Sequence, residues 1–273
     1  MDKETRNIDQ LRNHFEVERE LAQRLLEAPR EERTELFRTM YDELFERVPD
    51  HPRLTRRDTE EDCARAVAAR MALLKGQLNG VRTFVEIAPG DCRLAYKVCE
   101  SADKVIGVDI SDQSGDSDPL RPDNFQLIVY DGYTLDLPAE SADMAFSYQF
   151  IEHLHPEDVP LHFEMIHRIL KPGGIYIFST PHRFSGPHDV SRHFSDTPEA
   201  FHLKEWTYRE IMPVIKRAGF RKAHTYRFGK PRRSWLANAA TLMLEILIGA
   251  LPRSLQKKLS RRLFQGVTMI LEK

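Results

Sequence analysis

The pattern of hydrophobic and polar positions changes near residue 80 of this 273-residue chain. Before that point apolar side chains recur every three or four positions, as in Leu11, Phe15 and Leu21. This spacing predicts amphipathic helices over residues 1–48, and a third, alanine-rich helix is predicted over residues 60–78. Residues 1–79 are therefore predicted to form an N-terminal helical cap.

From Val81 onward the pattern consists of short apolar runs that are rich in β-branched residues and bounded by turn formers. Such runs predict buried strands, and the helical spacing between several of them predicts a doubly wound, mostly parallel α/β sheet with helices on both faces. The sequence Lys171-Pro172-Gly173-Gly174 predicts a turn before the last of these strands. The predicted strands are 81–87, 104–109, 124–130, 142–148 and 175–180, with helices at 93–102 and 156–170.

Residues 81–112 carry the strongest local signal, a strand, a tight turn, a helix and a second strand. The turn contains one glycine, Gly90, and the second strand ends at Asp109, 19 positions later. A carboxylate about 20 positions after such a turn is suited to hydrogen-bond ribose hydroxyls. A single glycine does not make the cradle that a pyrophosphate needs, and Glu86 before the turn would repel a phosphate. The pattern therefore favours a nucleoside that carries a positive amino group.

These residues resemble motif I of class I S-adenosylmethionine-dependent methyltransferases, an acid followed by Gly-x-Gly-x-Gly. Ala88 and Cys92 stand at the first and third glycine positions. An acid closing the next strand, Asp131-Gly132, EHL at 152–154 and LKPGG at 170–174 follow in the order of the family, and the helix with an Ala-Gly-Phe turn at 206–220 is also similar. The resemblance is to the type 11 methyltransferases and implies a Rossmann-like fold.

The resemblance implies S-adenosylmethionine as the cofactor and assigns nine residues to it by position. Two of these assignments have a structural alternative when taken alone: Asp131-Gly132 could be a simple turn, and Asp109 could be a helix N-cap. The assigned residues are Glu86, Ala88 and Gly90 at the methionine end, Asp109 at the ribose, Ile110 on the adenine, Asp131 and Gly132 at the adenine amino group and ring edge, and Ser147 and Tyr148 beside the sulfonium.

Transfer of a methyl group to a hydroxyl also needs a base, and histidine is the best candidate among the side chains. His188 is the first choice, because the neighbouring Asp189 could stabilise its imidazolium form. His153 in the EHL segment and His202 are the other catalytic candidates. Each has a structural alternative: a solvated turn with an Asp-capped helix at 188–189, an architectural role for His153, and packing for His202.

Net charge and cysteine spacing argue against a nucleic-acid-binding protein and against a zinc site. The net charge of −2 provides no overall basic surface for nucleic acid, so no nucleic-acid partner is expected. The three cysteines, Cys63, Cys92 and Cys99, lack the spacing of a zinc site, and no dense carboxylate cluster of ligand type is evident, so no metal is predicted. Unpatterned cysteines and a polar N-terminus favour a cytoplasmic protein.

The C-terminal segment combines an apolar run with basic flanks. Residues 235–251 are mostly apolar but shorter than a bilayer span, and residues 229–273 contain nine Lys or Arg against two Glu, a local charge of +7. Three interpretations stay open: a peripheral membrane contact, a homodimer helix through residues 230–273, or a packed lid.

The sequence thus predicts three regions: a cap over 1–79, a cofactor-binding domain over 80–228, and a helical extension with the last strand over 229–273.

The expected function is methyl transfer to oxygen of a small polar molecule or a glycan intermediate, with a histidine base. A second resemblance, of GPHDVSRHF and two N-terminal stretches, is to bacterial methyltransferases of glycan and secondary-metabolite (natural product) biosynthesis. Alternatives are an amine N-methyltransferase and a cofactor-binding protein without catalysis that serves a partner enzyme.

Overall fold

The structure is a computed structural model that describes residues 4–55, 59–112, 121–227 and 230–273. Its strands are β1 (Thr83–Ile87), β2 (Lys104–Asp109), β3 (Phe125–Val129), β4 (Ala142–Tyr148), β5 (Leu170–Thr180), β6 (Lys222–Arg227), β7 (Lys230–Arg232) and β8 (Val267–Glu272). Its α-helices are α1 (Ile8–Glu27), α2 (Arg30–Arg47), α3 (Pro52–Thr55), α4 (Glu60–Leu74), α5 (Arg93–Val98), α6 (Val159–Ile169), α7 (Tyr208–Arg217), α8 (Trp235–Gly249) and α9 (Arg253–Leu263).

The described strands form one sheet in the order β3-β2-β1-β4-β5-β8-β6-β7. The first five strands pair in parallel, and the last three pair antiparallel to their neighbours. The strand order reverses between β1 and β4, which is the switch point where ligands of such sheets bind, at the carboxyl ends of the strands. The predicted Rossmann-like α/β fold is confirmed.

Both faces of the sheet are covered, as expected of parallel strands with continuous apolar runs. On one face Phe84 and Phe146 pack with Leu94 of α5, and all three side chains are fully buried. On the other face Val85 packs in a cluster that includes Phe163 of α6. Alternate residues of one strand thus supply two separate hydrophobic cores.

The predicted turn at Lys171-Pro172-Gly173-Gly174 lies inside a strand. β5 begins at Leu170, and its pairing with β4 jumps from Ala142–Leu170 to Met144–Ile175, so the extra residues form a bulge. Gly173 has a φ of +78°, and a Cβ at Gly174 would come within 2.9 Å of the Lys171 carbonyl oxygen. The glycines therefore make the bulge sterically feasible. Strand β5 follows α6 directly, with no loop between them.

The N-terminal helices pack on each other and on the carboxyl edge of the sheet. Leu21 and Leu44 are buried between α1 and α2. The Arg33 guanidinium donates to the Asp158 carboxylate at 3.0 and 3.1 Å, and both side chains are buried. The Thr34 hydroxyl donates to the Asp131 carbonyl oxygen at 3.3 Å. The predicted cap region is thus tied to the segments that follow β3 and β4.

The C-terminal region is part of the sheet and also carries an unusual helix. β8 lies between β5 and β6, so strand pairing crosses the predicted boundary at residue 228. In α8 the polar side chains face the protein: Asn238 Oδ1 accepts from the Thr225 amide at 2.7 Å, while Thr241 and Glu245 are each 1% exposed. None of the helices in the described ranges is long and apolar enough to span a membrane.

Candidate active site

The turn after β1 holds the left-handed conformation at all three positions where motif I has glycine. The φ angles of Ala88, Gly90 and Cys92 are 54°, 59° and 56°. A non-glycine residue in this region costs about 1–2 kcal/mol, so the turn is strained at Ala88 and Cys92. A Cβ built on Gly90 would meet nothing within 4 Å. The predicted motif I turn is therefore present, and open space lies beside Gly90.

Glu86 is a buried carboxyl group with an unsatisfied oxygen. It is 2% exposed, and its Oε2 has no hydrogen-bond partner among the described residues. Burial raises the pKa of Glu86 to about 8, against the attraction of the Arg70 guanidinium. Since a buried polar atom without a partner is costly, this oxygen is suited to a cationic ligand group.

Arg70 of α4 is a site residue that the sequence did not indicate. Its guanidinium lies 5.3 Å from the ring centroid of Tyr148, one of the residues predicted beside the sulfonium. The same guanidinium is close enough to affect Glu86 electrostatically. Only the position of α4 immediately before β1 could have suggested it, because α4 shows no motif of its own.

Asp109 and Gly90 meet at the ends of β2 and β1, as predicted. Asp109 is 7% exposed; its Oδ2 accepts from the Gly90 amide at 3.4 Å and its Oδ1 from the Ile110 amide at 2.8 Å. Burial raises the pKa of Asp109, although these backbone amides oppose the rise. A carboxylate can accept about four hydrogen bonds, so acceptor capacity remains for ribose hydroxyls.

Asp131 closes its own turn. Its Oδ1 accepts from the backbone amides of Tyr133 at 2.8 Å and Thr134 at 2.5 Å, while Gly132 adopts a φ of +88°. Partial burial would raise the pKa of Asp131, but these amides lower it below its ordinary value. Asp131 can close this turn and still contact the adenine amino group, so the two interpretations are compatible. The adenine contact stays a prediction.

Ser147 contributes its side chain to the core. Its hydroxyl is fully buried and lies 2.7 Å from the Tyr176 hydroxyl, which in turn lies 2.9 Å from His162 Nε2. Because successive strand residues point to opposite faces, Tyr148 lies on the other side and is 37% exposed. The predicted contact of residue 147 with the sulfonium would therefore be made by its backbone.

His188 is paired with a different carboxylate from the predicted one. The Asp189 carboxylate accepts from the backbone amides of Ser191 at 3.0 Å and His202 at 3.2 Å, so it caps the short helix that begins at Val190. The His188 ring nitrogen Nδ1 instead lies 3.1 Å from Glu205 Oε2. The prediction of Asp189 as the partner is wrong, because neighbouring side chains in this extended segment diverge.

Glu205 links two of the candidate histidines. It is 1% exposed, and its Oε1 accepts from the His188 amide at 2.7 Å and from His202 Nδ1 at 2.9 Å. Burial would raise the pKa of Glu205, but the two imidazoles hold it at about 2. Burial likewise opposes ionisation of His202, and the carboxylates raise its pKa on balance. A Cβ on Gly186 would lie 1.8 Å from Glu205 Oε2, so this approach requires glycine.

His153 and His202 are also brought together, with ring centroids 5.0 Å apart. His153 Nδ1 donates to the Phe201 carbonyl oxygen at 2.9 Å, and burial lowers the pKa of His153 to about 3. The adjacent Glu152 is fully buried, and burial raises its pKa to about 7. The three predicted histidines thus form one group beside the ends of β4 and β5.

Comparison with known proteins agrees with this geometry. Residues 85–178 match the family described as "Methyltransferase domain". A protein of Mycolicibacterium smegmatis named "Probable S-adenosylmethionine-dependent methyltransferase" is 29% identical over 143 residues, which are 51% of this chain and 52% of that protein. The chain therefore spans about half the length of this curated relative.

Two solved structures share the fold. The 1,6-didemethyltoxoflavin-N1-methyltransferase of Burkholderia thailandensis, solved with S-adenosylhomocysteine, is 16% identical and has a TM-score of 0.56, with 90% of this chain and 91% of that chain covered. A SAM-dependent methyltransferase of Archaeoglobus fulgidus is 19% identical with a TM-score of 0.51, covering 77% and 94%. Residues 85–178 therefore match a methyltransferase domain, and this part of the chain is similar to S-adenosylmethionine-dependent methyltransferases.

Proposed function

We propose that the protein transfers a methyl group from S-adenosylmethionine to a hydroxyl of a small polar molecule or a glycan intermediate. The observation that carries the proposal is the buried, unpartnered oxygen of Glu86 beside the open left-handed turn at Gly90. A cationic amino group placed there would satisfy that oxygen. S-adenosylmethionine supplies the amino group and an activated methyl on a sulfonium.

The cofactor contacts follow from charge and position. Glu86 accepts from the amino group, and the Arg70 guanidinium, fixed against Tyr148, pairs with the carboxylate at the same end. Asp109 accepts from the ribose hydroxyls with the capacity that its backbone contacts leave. Opposite charges at the two ends of one amino-acid group would fix its orientation, and orientation provides much of the acceleration in methyl transfer.

His188 is the proposed base on the acceptor side. Glu205 Oε2 lies 3.1 Å from Nδ1 and Glu205 Oε1 accepts from the His188 amide, so the carboxylate positions this residue, while Nε2 lies 3.1 Å from the Ser185 hydroxyl. The His188 side chain is 35% exposed, so an acceptor can reach it. An oriented histidine favours a hydroxyl acceptor, because an amine can be methylated in its neutral form without a strong base.

The exposed face of α8 supports a peripheral contact with an anionic membrane. Leu236, Met243 and Leu247 are 61%, 58% and 60% exposed on this helix. The adjoining helix, α9, carries exposed basic residues that include Arg261 and Arg262. An outward apolar stripe beside a basic helix is typical of interfacial segments. Attachment at the surface would bring the enzyme to a membrane-associated acceptor.

The deciding experiment is calorimetric titration with S-adenosylmethionine, followed by a screen of hydroxyl and amine acceptors for S-adenosylhomocysteine release. We expect saturable cofactor binding that Glu86→Gln weakens at least tenfold, and product release with a hydroxyl acceptor. Product with amines alone would establish N-methylation instead. Cofactor binding without turnover on any acceptor would favour a binding partner of another enzyme, and no cofactor binding would overturn the proposal.

A further inference from the structure

Three residues of the acceptor side could hold a metal ion together. Glu152 and His153 follow β4, and His202 lies just before α7. Each offers one ligand-type atom, and these atoms lie within 4.8 Å of one another. The sequence predicted no metal, because positions 152–153 and 202 are far apart in the chain and show no ligand spacing.

The hydrogen bonds of both histidines place the ring proton on the same nitrogen, Nδ1. A carbonyl or carboxylate oxygen can only accept, so His153 Nδ1 carries the proton it donates to Phe201, and His202 Nδ1 carries the proton it donates to Glu205. In each neutral ring the lone pair is then on Nε2. This is the outer-shell arrangement that fixes the tautomer of metal-binding histidines.

Glu152 supplies the third ligand and an independent indication. Its side chain is 0% exposed; Oε2 accepts from the Thr180 hydroxyl at 2.8 Å, but Oε1 has no partner in the part of the chain that the structure describes. A buried carboxylate oxygen in this state is unfavourable unless a cation or a donor reaches it.

A second cluster of possible ligands, His14, Glu18 and His51, differs from this group in its hydrogen bonds. The Arg6 guanidinium donates to His14 Nδ1 at 2.8 Å, so Nε2 of His14 carries the proton that it donates to Glu18 at 2.7 Å. That donation leaves His14 no lone pair for an ion. This cluster is satisfied by its own hydrogen bonds and is a matched control.

We propose that Glu152, His153 and His202 bind a divalent first-row transition ion such as Zn²⁺ or Fe²⁺. Two imidazoles and one carboxylate suit these ions, whereas Mg²⁺ and Ca²⁺ prefer all-oxygen sites. Three protein ligands leave at least one coordination position for an oxygen. If the proposed function holds, the substrate class is a hydroxyl-bearing acceptor that can bind the ion through that oxygen.

The test uses the full-length, tag-free protein after chelator treatment, with Zn²⁺ titrated by calorimetry and Co²⁺ by its visible absorption. We expect one ion per chain, and at least tenfold weaker binding in Glu152→Gln and His202→Gln. The control His14→Gln is expected to bind Zn²⁺ like the wild type. Retained S-adenosylmethionine affinity in each variant will show that the fold is intact.

Either of two binding results would overturn the inference: no stoichiometric Zn²⁺ or Co²⁺ binding by the wild type, or binding that His14→Gln removes and His202→Gln retains. If the Glu152 and His202 variants do not fold, the Co²⁺ spectrum of His14→Gln decides between the two clusters: an unchanged spectrum supports the proposed site over the His14 cluster, and a lost spectrum overturns it. Cofactor binding and product release without any metal would refute this inference and leave the proposed function standing.

Discussion

The Glu205 carboxylate lies 3.1 Å from His188 Nδ1, although the two residues are 17 positions apart and Asp189 is the immediate neighbour. Glu205 Oε1 also accepts from the His188 amide, so the same carboxylate fixes the backbone that carries the ring. The proposed base and this carboxylate therefore come from two sides of one loop, and Gly186 provides the room between them.

We expect His188→Ala to lower turnover by roughly 10²- to 10⁴-fold with cofactor affinity unchanged, because a general base is lost. Glu205→Gln should reduce turnover less, because the imidazole remains and loses only its neighbouring carboxylate. Steady-state kinetics will measure both effects. Asp189→Asn is the matched control and should not change turnover by more than a few-fold. A larger effect of Asp189→Asn than of Glu205→Gln would refute the pairing.

Cofactor binding should depend on pH through Glu86. Burial raises its pKa to about 8 in the free protein, so below that pH the carboxyl is protonated. A bound ammonium group favours the carboxylate, and binding must then release the proton. Affinity is therefore expected to rise with pH between the ordinary value of 4.5 and about 8, by up to about tenfold per pH unit.

Calorimetry in two buffers of different ionisation enthalpy will measure this proton release. Glu86→Gln should abolish it together with the pH dependence. Proton uptake, or an affinity that falls as pH rises through this range, would contradict an ammonium contact at Glu86.

The strain in the motif I turn should be measurable. Ala88 is only partly buried and has a φ of 54°, so Ala88→Gly removes a left-handed alanine and should raise the free energy of unfolding by about 0.5–1 kcal/mol. Ala239→Gly, at an exposed position in α8, should lower it by about 1 kcal/mol. Chemical denaturation of both variants provides the comparison. Destabilisation by Ala88→Gly would show that the turn is not strained.

The parts of the fold that depend on local pattern were predictable. Five parallel strands appear as five apolar runs, and Gly90 and Asp109 meet because βαβ geometry places both at one edge. The bulge at Gly173 was predicted as a turn, since the sequence shows the glycines but not the strand pairing around them.

The acceptor side was predictable only as a set of residue types. His188, His153 and His202 were identified, but their partners Glu205 and Glu152 are chosen by packing between segments that are distant in the chain. Arg70 was missed for the same reason, because a helix face reveals its neighbour only after the helix has packed. Strand alternation indicates that Ser147 and Tyr148 diverge, but not which of them faces the ligand.

The outward face of α8 provides the last prediction. The double variant Met243→Glu, Leu247→Glu changes two exposed side chains, so the fold should be retained while binding to vesicles containing phosphatidylserine falls at least tenfold. Burying one such side chain contributes about 1.5–3 kcal/mol, and the added negative charges oppose attraction to the lipid. Cosedimentation with vesicles at low and high salt will measure binding, and Ile8→Glu, at a position 57% exposed on α1, is the matched control. If the wild type does not bind vesicles but sediments as a dimer, and the double variant sediments as a monomer, the apolar face is a contact between two copies of this chain.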